Sequence, residues 1–350
     1  MEQVTYSHYI RKKWIVLFVT CLFLFFLGLI NLSFGTSRLS ILEIWQIVTG
    51  GGETASRVIL LQIRLPRTLM AMGVGIALSM AGAVMQSVLR NPLASASTLG
   101  ISQGASFGAA VAIILFDSSL QFGTGALFLE SRVHFIPLFA FLGGVSTTIV
   151  ILLLSYQRGM RPATMLLAGV SIGAMFTALT ALVQYFANDI QIGSIVYWTF
   201  GNLGRAGFGE IRLLFLVNAI GFLYFMANRF NYNAMQSGTA TAKSLGVNVT
   251  TFIPLSMLMA TLVSATAISF VGTIGFIGLI APHIARKLVG GDYRFLIPVS
   301  AFMGASVMLL ADLASRMIRP PVVLPIGALT SLLAAPLFLY FIIRKRGLSQ

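Results

Sequence analysis

The chain has 350 residues, of which 57% are hydrophobic and only 9% charged, with a mean hydropathy of +0.92. That balance excludes a water-soluble core and places the protein among polytopic membrane proteins. A formal net charge of +14 would point to nucleic acid in a soluble chain; here the basic residues sit between apolar runs, where they set topology, and no nucleic-acid partner is expected.

Uncharged or nearly uncharged runs predict ten spans, over about 14–32, 65–88, 97–116, 135–155, 163–187, 211–228, 251–271, 275–289, 296–317 and 324–343. The expected fold is therefore an all-α polytopic membrane protein, with residues 1–350 forming one transmembrane domain. An even number of spans puts both termini on one side. Arg11-Lys12-Lys13 and Arg344-Lys345-Arg346 mark that side as cytoplasmic, and 14 of the 23 basic residues fall on it, against only Glu2 and Asp292 among the nine acids. Trp14 to Ile30 follows the first triplet without a small-residue cleavage site, so it reads as a retained span.

The external loop at about 33–62 contains the amphipathic stretch Ile41 to Val48 with Trp45, expected to lie along the outer interface. Arg64-Leu65-Pro66-Arg67 follows at the mouth of span two, and two readings stand: interfacial anchoring of the helix end, or a cationic docking point for acidic side chains of an external partner. Span two carries Gly73, Gly75 and Gly82 beside Met70, Met72, Met80 and Met85, a small-residue packing face next to flexible apolar filler. It ends at Arg90-Asn91-Pro92-Leu93, where proline cannot continue the ladder. Gly100, Gly104 and Gly108 recur every four residues in span three, and Gly169 and Gly173 repeat that close-approach spacing in span five.

The cytoplasmic loop at about 229–250 holds Gly238-Thr239-Ala240-Thr241-Ala242-Lys243-Ser244, which has the outline of a phosphate loop. It lacks the required glycines, with Ala242 before the lysine and Ser237 at the other glycine position, so no ATP hydrolysis is expected of this chain. Residues 239–245 are instead expected to form short helices across the cytoplasmic face. Beyond Lys243 come 42 residues without formal charge, up to Arg286. Within them Gly272, Gly275 and Gly278 stand at spacing three, which predicts a bare helix face serving as a packing seam, with a turn between Gly272 and Gly275. Span nine carries Asp312 and Arg316 at i, i+4, close enough to pair across one turn. Such charges mark function by default, or else form an ion pair that holds two helices together. Leu324-Pro325 then sets the first turn of span ten.

No carboxylate or histidine falls at mid-depth, which argues against a proton- or sodium-coupled carrier and against an intramembrane enzyme. His8, His134 and His283 are too dispersed for a metal site, and Cys21 is the single cysteine. What remains is a passive, glycine-packed body that needs energy from outside itself.

Six motifs in order complete the reading: Arg64-Leu-Pro-Arg67, Arg90-Asn-Pro-Leu-Ala94 with Leu99-Gly-Ile-Ser-Gln-Gly104, Leu167-Ala-Gly169, Gly272 to Arg286, Leu310-Ala-Asp312 and Leu324-Pro-Ile-Gly327. From about residue 60 to residue 343 the chain resembles the FecCD-type permeases of ABC importers, which take up iron-siderophores, haem or cobalamin. The resemblance implies a type II ABC importer permease fold of ten helices, with two permease subunits, identical or related, around a central pathway. It implies two ATP-binding subunits that hold ATP and Mg, an external substrate-binding protein, and a bacterial cytoplasmic membrane; this chain itself carries no cofactor. Ferric siderophores are the expected cargo, with haem or cobalamin as the alternative. Carried onto this sequence, the resemblance gives binding-protein docking to Arg64, Arg67 and Arg316, and an inner gate to Asn91 and Leu93. It gives ATPase coupling to Gly238, Thr239, Ala242, Lys243, Leu245 and Gly246, although Ser237 and Thr239 depart from the family's usual leucine and acidic residue. Ser171, Met175, Thr177 and Gln184 of span five are the expected pathway lining.

Overall fold

The computed structural model describes residues 6–35, 39–116, 127–156, 160–333 and 336. Glu2, Arg158, the triplet Arg344-Lys345-Arg346 and most of the second half of span ten lie outside the described residues. The chain runs through α1 (Tyr6–Ser33), α2 (Ile41–Val48), α3 (Thr54–Val58), α4 (Leu65–Val88), α5 (Ile101–Leu115), α6 (Leu127–Tyr156), α7 (Pro162–Tyr185) and α8 (Asp189–Thr199). It continues through α9 (Phe208–Ala227), α10 (Arg229–Gln236), α11 (Thr239–Ser244), α12 (Val249–Val271), α13 (Ile277–Val289) and α14 (Tyr293–Met317), and span ten opens as helix over 326–333.

Among the described residues, seven stretches are long and apolar enough to cross a membrane. Expected spans three and eight exist as α5, with 15 residues, and α13, with 13, both short of the roughly 20 a full crossing needs. Together with the start of span ten they account for the ten predicted runs. Large apolar side chains such as Phe18, Leu153, Leu167 and Leu223 stand exposed on the outer helices, where lipid is their solvent.

The external loop differs from expectation. Its first half is α2, capped reciprocally by Ser40 and Glu43, with Ile44 and Ile47 packed on Leu39 and Leu60 while Trp45 stays exposed. Its second half is not loop but an extension of span two, because α3, a π-helical stretch (Ile59–Arg64) and α4 run on as one rod, Thr54–Val88. Pro66 explains the wide turn: its ring has no N–H and collides with the carbonyl four residues back, and π winding relieves both problems without ending the helix.

The rod is the axis of the body. Its most apolar window is 83% buried, against 22% for α1, and it is buried largely by backbone. A Cβ on Gly75 would stand 2.4 Å from the Gly304 carbonyl oxygen of α14, and one on Gly82 would stand 2.0 Å from that of Gly278 on α13. The four-residue glycine repeats make the same kind of contact, Gly104 against Gly143 of α6 and Gly100 against Gly169 and Gly173 of α7. In a bilayer, where no hydrophobic force drives one helix onto another, such close approaches supply the packing.

The Gly272–Gly278 seam is corrected in form. These glycines do not share a helix face, because Gly272 caps α12 at φ +86° and Thr273 to Phe276 are not helical; only Gly278 is in α13. The close approach is real but is made where the segment between α12 and α13 crosses the end of α8 and the start of span ten: a Cβ on Gly272 would meet the Trp198 carbonyl oxygen at 2.2 Å, and one on Gly327 that of Thr273 at 2.4 Å. The segments are stitched there by Asn202 N–H to the Val271 carbonyl (2.7 Å) and Gly327 N–H to that of Phe200 (3.0 Å).

Because the obstacle at Gly82 is backbone that no rotamer change can clear, Gly82→Val should cost at least about 1–3 kcal/mol and abolish monodisperse protein in detergent. Gly28→Val, where a Cβ meets nothing within 4 Å, should leave yield and thermal unfolding unchanged in the same size-exclusion and melting measurements.

Candidate functional site

At one end of the body, where the sequence reading expects the outer face, Asp312 is fully buried on α14 and receives two guanidinium groups. Arg67 Nε of α4 lies 2.7 Å from Oδ1 and Arg316 Nη2 lies 2.9 Å from Oδ2. The predicted i, i+4 pair is thus one half of a bridge between two helices. Arg316 also donates to the Phe34 carbonyl (3.0 Å) and to the side chain of Asn31, whose own amide donates to the Leu309 carbonyl (2.8 Å). Arg64 donates to the carbonyls of Leu32 and Ser33 at 2.8 and 2.9 Å and is 4% exposed. The three arginines named for docking also hold partners within the chain: Arg64 and Arg316 fasten the end of α1 to α4 and α14, and Arg67 joins α4 to α14, because desolvated guanidiniums need carbonyl and carboxylate partners. Arg67 alone lines an outer mouth of about 430 Å³, beside Pro66, Asn202 and Leu324.

At the opposite end of the body, α10 and α11 form the predicted short helices. Gly238 (φ +116°) and Gly246 (φ +85°) bracket α11 in conformations that strain any residue with a Cβ. Ala242 is buried, turned into the body, whereas Leu245 is exposed, and Thr239 and Lys243 lie on the same short helix. The element is braced on α14 through one carboxylate. Asp292, the N-cap of α14, accepts from Asn233 of α10 (3.1 Å) and pairs with Arg294 (2.7 Å) and with Lys13 of α1 (3.7 Å); Gln236 donates to the Gly291 carbonyl (2.7 Å). Burial pushes the Asp292 carboxyl up, but hydrogen bonds from Arg294 and Asn233 outweigh it and hold the pKa down at about 2.

Between these ends lie two adjoining cavities. One, of about 360 Å³, is bounded by α5, the non-helical 273–276 segment and the start of span ten, and its polar lining is Ser97, Ser102, Gln103, Ser106, Thr273 and Ser331. The other, of about 260 Å³, lies between α5, α7 and the end of α8, with Gln103 and Ser106 shared and Thr177, Thr180, Gln184 and Thr199 added. No charged side chain lines either. The four pathway candidates divide accordingly: Thr177 and Gln184 face this space, whereas Ser171 and Met175 are exposed about half a turn away and line none of it. Asn91 and Leu93 are joined in the turn after α4, where Asn91 Oδ1 accepts the Leu93 N–H (2.8 Å); Leu93 itself is exposed.

Sequence reasoning missed α8 and the contribution of α5. The available signal was a polar stripe at helical spacing, Ser102, Gln103 and Ser106 on α5 and Thr177, Thr180 and Gln184 on α7. The glycines of α5 drew attention to its other face.

The description of the FecCD transport family matches residues 22–344. An ABC transporter permease protein of Methanocaldococcus jannaschii is 46% identical over 339 residues, covering 97% of each chain. The iron(3+)-hydroxamate import system permease protein of Bacillus subtilis is 32% identical over 338 residues, covering 95% of this chain and 98% of that one. A solved metal-chelate type ABC transporter in an inward-facing conformation superposes with a TM-score of 0.83 at 28% identity, covering 94% of this chain and 99% of that one.

Removing the carboxylate from the outer cluster leaves two buried guanidiniums without their counter-charge. Asp312→Asn should therefore destabilise the purified protein by about 3–5 kcal/mol, while Asp312→Leu combined with Arg67→Met and Arg316→Met should recover most of that loss in thermal unfolding.

Proposed function

The chain belongs to the FecCD transport family, and from that premise we propose that it is the permease subunit of an ATP-driven importer of ferric siderophores. As a member of that family it is a transport permease of the ABC type that crosses the membrane several times. The observation that carries the cargo reading is the similarity over nearly its whole length to a permease of an iron(3+)-hydroxamate import system.

In this reading two permease subunits enclose a central pathway, two ATP-binding subunits bind ATP and Mg, and an external binding protein delivers the chelate. α10 and α11 rest on the ATPase, with exposed Leu245 as the contact and buried Ala242 fixing α11 to the body. Nucleotide-driven movement of this element reaches α14 through Asp292 and Asn233 and switches the pathway between outward- and inward-facing states. Asn91 and Leu93 form the inner gate, and both termini are cytoplasmic. At the outer face, three guanidiniums and one carboxylate leave the rim net positive, which steers an acidic partner toward the mouth beside Arg67 even though the arginines are paired within the chain.

Loss of the gene should remove uptake of one radiolabelled ferric siderophore from a panel that includes haem and cobalamin. Uptake of every compound in the panel by the deletion strain would overturn the reading. In the same cells, Leu245→Glu should abolish uptake and lower co-purification of the ATPase at least about tenfold, while the permease still reaches the membrane.

A further inference from the structure

The two adjoining cavities carry a hydrogen-bonding bias that the family assignment does not supply. Five of their hydroxyls have already committed their only proton to a backbone carbonyl: Thr177 to Gly173 (2.9 Å), Thr180 to Phe176 (2.7 Å), Thr199 to Val196 (2.7 Å), Thr273 to Thr199 (2.6 Å) and Ser331 to Gly327 (2.8 Å). A hydroxyl in that state presents only lone pairs to the space in front of it. Gln103 adds a buried Oε1 with no partner in the structure, and Ser102, 7% exposed, adds an equally unpartnered Oγ. Both line the larger cavity, and Gln103 lines the smaller one as well. Among the described residues the wall is thus uncharged and rich in acceptors, with the amide N–H groups of Gln103 and Gln184 and the hydroxyls of Ser97, Ser102 and Ser106 as its donors.

Non-helical backbone completes the wall at 273–276. Backbone of that kind is stable at membrane depth only where protein buries it or where it borders a wet cavity, so the space is one that polar groups occupy. A chelate coated in carboxylates would set acceptors against acceptors. An apolar macrocycle would strip water from the hydroxyls and give nothing back.

We infer that these cavities are a cargo contact site, centred on Gln103, for iron chelates whose outer surface carries hydrogen-bond donors, amide N–H or hydroxyl groups on the scaffold. The inference rests on the importer reading and narrows its cargo: ferric hydroxamates on a peptide scaffold fit, and ferric citrate and haemin do not. Gln103, Thr177 and Ser331 are the selectivity-setting residues.

The test is equilibrium binding of iron-radiolabelled chelates to the assembled importer in lipid nanodiscs, without nucleotide or binding protein. A ferric tris-hydroxamate on a cyclic peptide should bind measurably more tightly than ferric citrate or haemin. N-methylation of its scaffold amides should weaken it by about tenfold, as should Gln103→Leu combined with Thr177→Val. Thr177→Val alone preserves shape and helix and should still weaken binding about threefold, so the outcome does not hinge on how Gln103→Leu folds. Equal or tighter binding of ferric citrate or haemin, or indifference to both N-methylation and Thr177→Val, would overturn the inference. If no chelate binds the wild-type complex while iron uptake by cells still depends on the gene, the inference fails and the importer stands; if uptake does not depend on the gene, the importer reading itself fails.

Discussion

The close packing of backbone on backbone around the non-helical residues between α12 and α13 organises the rest of this body. Water cannot reach the non-helical residues 272–276 from the lipid side, so their groups must find partners within the protein. The end of α8 and the start of span ten pack against them, with Thr273 Oγ1 donating to the Thr199 carbonyl (2.6 Å), and backbone contact that close leaves no room for side chains. Hence Gly201, Gly272 and Gly327 meet at one place, and α8 runs back into the body to bury Trp198 there. The short α13 that follows is then positioned to put Gly278 against Gly82 of the central rod.

α14 joins the two polar ends of the molecule. Its N-cap Asp292 holds α1 and α10, its last turns carry Asp312 and Arg316, and Gly304 midway presses on Gly75. A helix with a tethered carboxylate at each end and a backbone contact at its centre behaves as a stiff strut. The two carboxylates differ in kind: Asp292 is partly solvated and fixed by neutral and charged donors, whereas Asp312 is wholly enclosed and balanced by two arginines.

Much of this was legible in the chain itself. Hydropathy located the ten runs because each buried or lipid-facing segment must be apolar, and the i, i+4 spacing of Asp312 and Arg316 announced their pairing. Glycine periodicity found the close approaches of α5, α6 and α7. It misjudged residues 272–278, since spacing of three says that side chains are unwelcome and does not say whether a helix face or a crossing segment excludes them. The internal partners of Arg64 were not legible, because the carbonyls of Leu32 and Ser33 that enclose it lie some thirty residues away, beyond any local pattern. α8 was hidden for a related reason, being too short for a crossing and mixed in polarity.

The unbroken rod from Thr54 to Val88 has a mechanical consequence. Its firmest contacts, Gly75 on Gly304 and Gly82 on Gly278, lie nearer its inner end, and they are contacts of backbone on backbone with no side chains to unlatch. Such a point works as a fulcrum, and the wide turn before Pro66 leaves the arms above and below it joined as one lever. Any tilt of the rod about that point would carry its two ends in opposite senses, with the longer arm, toward Thr54, moving further than the Asn91 turn.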